Sequence, residues 1–338
     1  MFGRLVSPFV VAGFLLVACS APQQAAELPT AIPPTPRTIV ITATPGPTQE
    51  AIPQEFLKLD TTPRIAVISA FGAELEAFKA EADIEKEVVV NGRTVYLGTL
   101  AGHKVLMTES GVSMVNAAMA SQTILDRFTV THIVFSGIAG GVNPNLRVGD
   151  VAVPAQWAEY QENFFVRETS DGYAPPPWFT PALPNYGMMF PQGVSVVLPG
   201  AGPDEETNVT WFAADPTMVT VARQVAQSVD LDQCTSEGIC LEHDPIIKVG
   251  GYGVAGPTFV DNAEYREYVW SVWEADALDM ESSAVAHIAT VNGVPFVIFR
   301  SLSDLAGGGP GENEIGTFFQ LAAINSAKVM LAFLDAWE

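Results

Sequence analysis

Residues 132–141 read HIVFSGIAGG, an apolar run that passes directly into a glycine-rich segment. The part from His132 to Ser136 is short, apolar and rich in β-branched and aromatic residues, which is typical of a buried strand. The segment from Gly137 to Gly141 follows that predicted strand. Because ligands of open α/β sheets bind beyond the carboxyl ends of the strands, this stretch predicts a strand that leads into one wall of a ligand cleft.

Similar apolar runs recur along the chain and alternate with helical patterns. Strands are predicted at residues 65–70, 94–100, 103–108, 151–153, 246–249, 277–280 and 295–301, and helices at residues 73–82, 114–128, 262–273, 282–291 and 315–337. This alternation predicts an α/β layered fold with a mixed or largely parallel sheet. Residues 164–215, rich in aromatic residues and proline, break the rhythm. We interpret them as an insertion over the sheet edge or over the mouth of the site.

The N-terminal segment has the layout of an export signal. One positive side chain, Arg4, precedes an almost wholly apolar run over residues 5–17, which is too short for a comfortable membrane span. The run ends in Leu16-Val17-Ala18-Cys19, which resembles the lipobox of bacterial lipoproteins, in which the cysteine is lipidated. We therefore predict a signal peptide over residues 1–19 and a bacterial envelope protein anchored to a membrane through Cys19. An ordinary secretory signal with an incidental cysteine is the alternative.

Residues 20–62 are rich in proline, threonine, alanine and glutamine. Few large apolar side chains are present to pack, so we predict a disordered, partly extended tether. The remaining residues, 63–338, then form one domain that includes the insertion.

The charge balance excludes one class of partner. The chain has 16 Lys+Arg against 38 Asp+Glu, a formal net charge of −22. Such a field repels the phosphates of nucleic acids, so no nucleic-acid partner is expected.

Two of the three cysteines lie close together. Cys234 and Cys240 bracket a short polar loop, and in an oxidising compartment this spacing suits a disulfide. A zinc pair is the competing interpretation, but His243 is the one further ligand nearby and four ligands are not completed. We expect no metal and no cofactor.

Polar or glycine-rich residues follow five of the predicted strands. They are Glu74, the pair Ser110-Gly111, the segment from Gly137 to Gly141, Glu281 and Asp304. Because strand ends of an open α/β sheet meet at one edge, these residues are expected to converge on one cleft.

Three segments resemble one known superfamily. They are residues 134–141 with 148–151 (VFSGIAGG and VGDV), residues 279–284 (DMESSA) and residues 300–304 (RSLSD). In order and spacing they resemble the signatures of methylthioadenosine/S-adenosylhomocysteine nucleosidases and their nucleoside phosphorylase relatives. Residues 137–150 and 260–266 also resemble plant bark and vegetative storage proteins of this superfamily. The resemblance implies a phosphorylase/hydrolase-like three-layer α/β sandwich with a central mixed sheet, a purine nucleoside as ligand, and a homo-oligomer.

The resemblance also implies roles for individual residues. Asp304 would protonate the purine at N7, which requires a carboxyl with a raised pKa. Glu281 would bind the ribose hydroxyls and place negative charge near the cationic sugar. Glu74 would activate water as general base. The implied substrate-binding residues are Met280, Phe259, Val260, Ser303, Ser110, Gly111, Gly137 and Ile138.

Each of the three acids also has a purely structural explanation. Asp304 could be a helix N-cap, a position at which aspartate is common after a strand. Glu281 and Glu74 could be acidic residues in the first turn of a helix, where the helix dipole favours negative charge.

The sequence also departs from the family pattern. Phosphorylases hold phosphate with arginines near the first strand exit and before the glycine-rich loop, where this chain has Phe71-Gly72-Ala73 and Phe135. Phosphate would lack charge partners there, which favours water as nucleophile. Pro257 and Thr258 stand where the nucleosidases commonly have an acid, which leaves the base open.

The sequence therefore favours hydrolysis of purine nucleosides, 5′-thio-substituted adenosines among them. The alternatives are a phosphate-dependent nucleoside phosphorylase and a non-catalytic, lipid-anchored nucleoside-binding or storage protein. Gly251-Tyr252-Gly253-Val254-Ala255-Gly256 also fits the dinucleotide motif G-x-G-x-x-G. Pro257 follows at once and removes the helix start that would bind a phosphate, so no dinucleotide site is expected.

Overall fold

The computed structural model describes residues 58–309 and 311–338. The predicted signal peptide, Cys19 and the tether up to residue 57 lie outside the described residues. The end of the predicted tether is ordered, because the first strand already begins at Asp60. The Asp60 carboxylate accepts the backbone N–H of Thr62 and pairs with Arg64 at 2.8 Å, which fixes this entry to the sheet.

Within the described residues the chain forms six helices and eighteen strands. The helices are α1 (Gly72–Glu81), α2 (Met114–Arg127), α3 (Pro216–Val225), α4 (Ala263–Trp273), α5 (Ser282–Val291) and α6 (Ile315–Ala336). The strands are β1 (Asp60–Ser69), β2 (Asp83–Val90), β3 (Arg93–Leu100), β4 (His103–Glu109), β5 (Phe128–Gly141), β6 (Val151–Val153), β7 (Gln156–Glu159), β8 (Asn163–Phe165), β9 (Glu168–Thr169), β10 (Gly172–Tyr173), β11 (Met189–Pro191), β12 (Val194–Val197), β13 (Glu206–Val209), β14 (Phe212–Ala213), β15 (Ile247–Val249), β16 (Tyr252–Ala255), β17 (Ala275–Asp279) and β18 (Phe296–Asp304).

One large mixed sheet organises the domain. Its main path runs β14-β7-β16-β17-β5-β1-β4-β3-β2, and β18, β6 and β15 join it beside β5. Strand β5 is parallel to both β1 and β18, whereas β3 is antiparallel to β2 and β4. The predicted mixed sheet is thereby confirmed.

Two groups of helices enclose the sheet and complete the sandwich. Helix α6 packs on β18 and β5 together with α1 and α3, and α2 packs with α5. Helix α6 is long and apolar enough to cross a membrane by length and composition alone. Its buried residues, among them Val329, Met330 and Phe333, explain that composition by packing in the core.

Strands β5 and β18 are longer than the sequence predicts. Gly137 to Gly141 belongs to β5, and Asp304 is the last residue of β18, so the expectation that these residues follow their strands is wrong. The two strands stay paired from Ile133–Phe296 to Gly140–Asp304. A Cβ at Gly137 would collide with the Arg300 guanidinium and lie 2.6 Å from Glu74 Oε1. Glycine therefore lets these two side chains lie directly over the strand.

The segment from Gly251 to Gly256 contains the central strand β16, paired in parallel with β7 and β17. A Cβ at Gly253 would lie 2.6 Å from the Trp157 ring, so close packing of neighbouring strands accounts for this glycine. The phosphate-binding loop of a dinucleotide site is not formed here.

The insertion lies along one edge of the sheet. It contains the small hairpins β9–β10 and β12–β13, and its last strand, β14, pairs with β7 at the sheet edge. Tyr186 packs against Tyr265 and Tyr268 of α4, and the Tyr268 hydroxyl donates a 2.9 Å hydrogen bond to the Pro184 carbonyl. Of the two predicted locations, the structure therefore favours the edge.

A disulfide closes the loop before β15. Cys234 and Cys240 are bonded to each other. Leu241, the next residue, packs against Gly149, where a Cβ would collide with its side chain. Among the described residues, no group of three histidine, cysteine, aspartate or glutamate side chains is arranged to hold a metal ion.

Candidate active site

A cleft with a cavity volume of about 160 Å³ lies at the carboxyl ends of β1, β5, β17 and β18. Eight of the residues predicted from the sequence line it: Glu74, Ile138, Phe259, Val260, Met280, Glu281, Ser303 and Asp304. The structure therefore brings together side chains that are more than two hundred residues apart in the chain.

Three predicted residues lie beside the cleft and do not line it. Gly137 lies beneath Glu74 and Arg300. Ser110 is fully buried, and its backbone N–H donates to the Ser69 carbonyl, while Gly111 packs against Arg93. Val112 reaches the cleft in place of this pair. That Ser110, Gly111 and Gly137 contact a ligand stays a prediction.

Glu74 lies in the first turn of α1, yet it is 1% exposed and points into the molecule. Its Oε2 accepts the backbone N–H of Ala70 at 2.7 Å, and its Oε1 accepts that of Ile138 at 2.9 Å. Burial raises the pKa of Glu74 to about 7, although the nearby Arg300 and the two N–H donors oppose the shift. A surface acid that merely complements a helix dipole would be solvated, so the dipole does not explain this position.

Glu281 precedes α5 but does not cap the helix with its side chain. The capping carboxylate is Asp279, whose Oδ1 accepts the N–H groups of Glu281 and Ser282 at 3.0 and 2.9 Å. Glu281 Oε1 instead accepts the N–H of Ser113 at 2.7 Å. Burial raises the pKa of Glu281 to about 7, and Arg300 opposes this shift. The Glu281 carboxylate is therefore held at the cleft wall by the backbone of Ser113, a residue far away in the sequence.

Arg300 is the cation that connects these acids. It is fully buried on β18, its Nε lies 2.5 Å from Asp279 Oδ2, and its Nη2 lies 3.5 Å from Glu281 Oε2. The guanidinium also lies 4.3 Å from the centre of the Phe135 ring. The sequence alone did not predict a role for Arg300. A buried arginine requires carboxylate partners, and an arginine directly after the apolar run 296–299 was the signal that could have identified it.

Asp304 ends β18 and is 2% exposed. Its Oδ1 accepts the N–H of Ala306 at 2.8 Å, and its Oδ2 accepts the Ser303 hydroxyl at 2.9 Å. Burial raises the pKa of Asp304, and these hydrogen bonds oppose the rise. No helix begins here, so the N-cap explanation does not apply.

Apolar side chains also line the cleft. Phe71 and Phe319 stack with ring centres 4.9 Å apart, and Ile315 lines the same wall. Phe259 is 52% exposed, whereas the neighbouring Val260 is buried. The cleft thus combines a row of buried acids with an aromatic wall.

A mixed α/β sandwich with a carboxylate-lined cleft at its strand exits is the architecture of phosphorylase/hydrolase-type enzymes. The chain belongs to the phosphorylase superfamily, whose family model matches residues 64–335.

Curated relatives carry a more specific name. The chain is 29% identical over 274 residues to a 5′-methylthioadenosine/S-adenosylhomocysteine nucleosidase of Geobacillus thermodenitrificans, covering 80% of this chain and 96% of that protein. The corresponding nucleosidase of Tolumonas auensis is 28% identical over 272 residues, covering 80% of this chain and 98% of the relative.

Solved structures agree with this family. The nucleosidase of S. pneumoniae with the transition-state inhibitor MT-ImmA has a TM-score of 0.60 and 26% identity, covering 81% of this chain and 100% of that chain. A futalosine hydrolase of Helicobacter pylori, with a TM-score of 0.59 and 20% identity over 81% of this chain and 97% of that chain, shows the shared fold alone.

These findings confirm the predicted superfamily, the α/β sandwich and an enzyme of the nucleosidase or nucleoside phosphorylase class. The resemblance to plant storage proteins stays a prediction, as does the homo-oligomer. Val112 at the cleft and Val115 and Met119 on α2 are exposed apolar side chains, the kind of surface that subunit contacts bury.

Proposed function

We propose that the protein hydrolyses the N-glycosidic bond of purine nucleosides, with 5′-thio-substituted adenosines as its substrates. The observation that carries the proposal is the meeting of Glu74 and Asp304 in one cleft, both buried and both with a raised pKa. Hydrolysis needs a general acid that protonates the purine leaving group and a general base that takes a proton from water. Two such carboxyls supply that pair. The names of the curated relatives support the substrate class.

Asp304 acts on the leaving group. Its proton passes to purine N7 while the C1′–N9 bond breaks and the bonding electrons move into the purine ring. The base then leaves as a neutral molecule, and Asp304 remains as a carboxylate. Burial favours the protonated acid before the reaction, and the Ala306 and Ser303 donors stabilise the carboxylate after it.

Glu281 and Glu74 act on the sugar and on the water. Glu281 accepts hydrogen bonds from the ribose hydroxyls and places negative charge near the cationic sugar. Glu74 takes a proton from water as the water oxygen bonds to C1′, which yields the free sugar. The pKa of about 7 leaves Glu74 available in both protonation states near neutral pH.

The charge of the cleft favours water over phosphate as the nucleophile. Among the described residues that line the cleft, Arg300 is the one cation, against Glu74, Asp279, Glu281 and Asp304. Arg300 is already paired with Asp279 and Glu281. A phosphate dianion would have no free partner and would meet several carboxylates.

The aromatic wall fits an apolar 5′ substituent. Phe71, Phe319 and Ile315 present no charge, and a thioether gains by leaving water for such a surface. A charged 5′-phosphate would lose its hydration there without compensation.

The experiment is an assay of the purified protein on a nucleoside panel, with and without phosphate. We expect release of adenine from 5′-methylthioadenosine that does not depend on phosphate. A requirement for phosphate would instead support the phosphorylase. Nucleoside binding without turnover of any nucleoside would support the binding or storage protein.

We further propose that the protein is exported and anchored to a membrane through lipid on Cys19. The lipobox-like sequence from Leu16 to Cys19 supports this. Cys19→Ala is expected to release the protein from the membrane fraction or to mislocalise it, because the lipid attachment point is lost. Ser20→Ala serves as the control and should stay with the membrane. Unchanged fractionation of Cys19→Ala would contradict the anchor.

A further inference from the structure

The side-chain amide of a residue not described above joins two carboxylates beside the cleft. Asn313 Nδ2 lies 3.4 Å from Asp304 Oδ1 and 3.0 Å from Asp261 Oδ1. Its own Oδ1 accepts the backbone N–H of Ile315 at 3.0 Å at the start of α6. This last bond fixes which end of the amide is the oxygen, so the two Nδ2 hydrogens point to the two carboxylates.

We propose that Asn313 is a positioning residue that holds the acid Asp304 and links it to Asp261. This inference rests on the proposed function, in which Asp304 protonates the base.

The neighbouring backbone supports a link between two walls of the cleft. Asp261 directly follows Val260, which lines the cleft, and the N–H of Asn262 donates to the Ala306 carbonyl at 3.1 Å. Residues 305–312 between Asp304 and Asn313 contain four glycines, which impose little conformation of their own. Asn313 is therefore the side chain that ties the end of this segment to both walls.

The bonding pattern also assigns the transferred proton to one oxygen. Asp304 Oδ1 receives the N–H of Ala306 and the Asn313 amide, so it has no need of a proton of its own. The proton is carried on Oδ2, beside the Ser303 hydroxyl, which can accept as well as donate. When Oδ2 gives its proton to N7, negative charge develops on the carboxylate. The 3.4 Å bond from Asn313 then strengthens, because hydrogen bonds to an ionised acceptor are shorter and stronger.

Asn313 and Asp261 oppose one another electrostatically. Donation from Asn313 lowers the pKa of Asp304, whereas the negative charge of Asp261 raises it. Glu314 at the start of α6 is a further acid nearby, and its own pKa is raised by burial and by Asp304. The other charged groups around this part of the cleft are Arg300, Glu281, Asp279, Glu74 and Arg266, the last of which donates to the Gly141 carbonyl.

The opposition gives two variants with opposite expected effects. Asn313→Ala removes the donor, so the pKa of Asp304 should rise by about half a unit to one unit. Asp261→Asn keeps an oxygen for the Asn313 amide but removes the charge, so the pKa of Asp304 should fall by a few tenths of a unit. Glu267→Gln, which removes an exposed charge on α4, is the matched control and should leave the pKa unchanged.

The experiment is an NMR titration of the Asp304 carboxyl in the purified full-length protein labelled with ¹³C-aspartate, the signal being assigned with Asp304→Asn. Kinetics of adenine release supply the second readout. Activity requires Asp304 protonated and Glu74 ionised, so the optimum of kcat/KM lies midway between the two pKa values. It should move to higher pH in Asn313→Ala and to lower pH in Asp261→Asn. The kcat of Asn313→Ala should also fall about 10-fold with little change in KM, since the bond strengthens as charge develops.

Opposite shifts in the two variants would support the positioning role. An unchanged Asp304 titration, or shifts in the same direction in both variants, would overturn it. If Asn313→Ala does not fold, the Asp304 titration in the isosteric Asp261→Asn variant is compared with that in the Glu267→Gln control, and an unchanged pKa would overturn the proposal. A wild-type protein that cleaves no nucleoside would refute the proposed function, while the titration would still decide the role of Asn313.

Discussion

Asp304→Asn is expected to lower kcat for adenine release by about 10²–10⁴-fold while leaving nucleoside binding measurable. Asparagine keeps the size of the side chain and can still hydrogen-bond the purine, but it has no proton to give to N7. In one orientation of the amide, its oxygen still accepts the Ala306 N–H, and its NH2 group takes the place of Oδ2 and can donate to the Ser303 hydroxyl oxygen. Steady-state kinetics and calorimetric binding of 5′-methylthioadenosine measure the two quantities separately.

The matched control for this variant is Asp335→Asn, an exposed aspartate on α6 outside the cleft. It makes the same chemical change and should keep wild-type turnover. A thermal unfolding curve for each variant shows whether any loss of rate comes from loss of folded protein. Near-normal turnover by Asp304→Asn would exclude Asp304 as the acid and remove the main chemical support for the nucleosidase proposal.

The sequence predicts strands β1, β4 and β5 well, because short apolar runs rich in β-branched residues are typical of buried strands. Strands β1, β4 and β5 are short apolar segments in sequence and buried strands in the structure. The edge strand β2 was missed, because its sequence DIEKEVVV is largely charged and exposed, as edge strands often are. Helix α3 was also missed, although Asp215 and Pro216 give a clear start signal and Asp215 caps the N–H groups of Thr217 and Met218.

The positions at which β5 and β18 end could not be predicted from the local sequence pattern. Glycines after an apolar run indicate that the strand has ended, but here they continue a strand over which Arg300 and Glu74 pack. That use of glycine depends on side chains from distant parts of the chain. The sequence contains no local sign of it.

The candidate site was predicted in part for the same reason. Glu281 and Asp304 lie within segments that resemble the family, and Glu74 matches the position of the nucleosidase general base after the first strand, so they could be identified one by one. The stack of Phe71 on Phe319 joins residues at opposite ends of the domain, and the bridge from Asn313 to Asp261 joins two separate loops. Such contacts arise from the folded sheet and have no periodicity or spacing that would indicate them.

Glu74→Gln is expected to lower hydrolysis by about 10²–10⁴-fold and to bind nucleoside at least as well as the wild type. Glutamine cannot take a proton from water, whereas Asp304 and Glu281, the residues proposed to contact the purine and the ribose, are unchanged. The wild-type pH profile of kcat/KM should contain a titration at about pH 7, because activity requires ionised Glu74 and burial raises its pKa to that value. This titration should be absent from the residual activity of the variant.

The control for Glu74→Gln is Glu76→Gln in the same helix, where the side chain is 68% exposed and pairs with Lys79. Loss of that surface pair costs little stability, so turnover should be unchanged. A second comparison separates the nucleophiles, since an enzyme that used phosphate would need added phosphate and would depend less on Glu74. Adenine release by Glu74→Gln at the wild-type rate, without phosphate, would show that Glu74 does not activate the water. The base would then have to be sought among the other acids of the cleft, with Glu281, also raised to a pKa of about 7, as the next candidate.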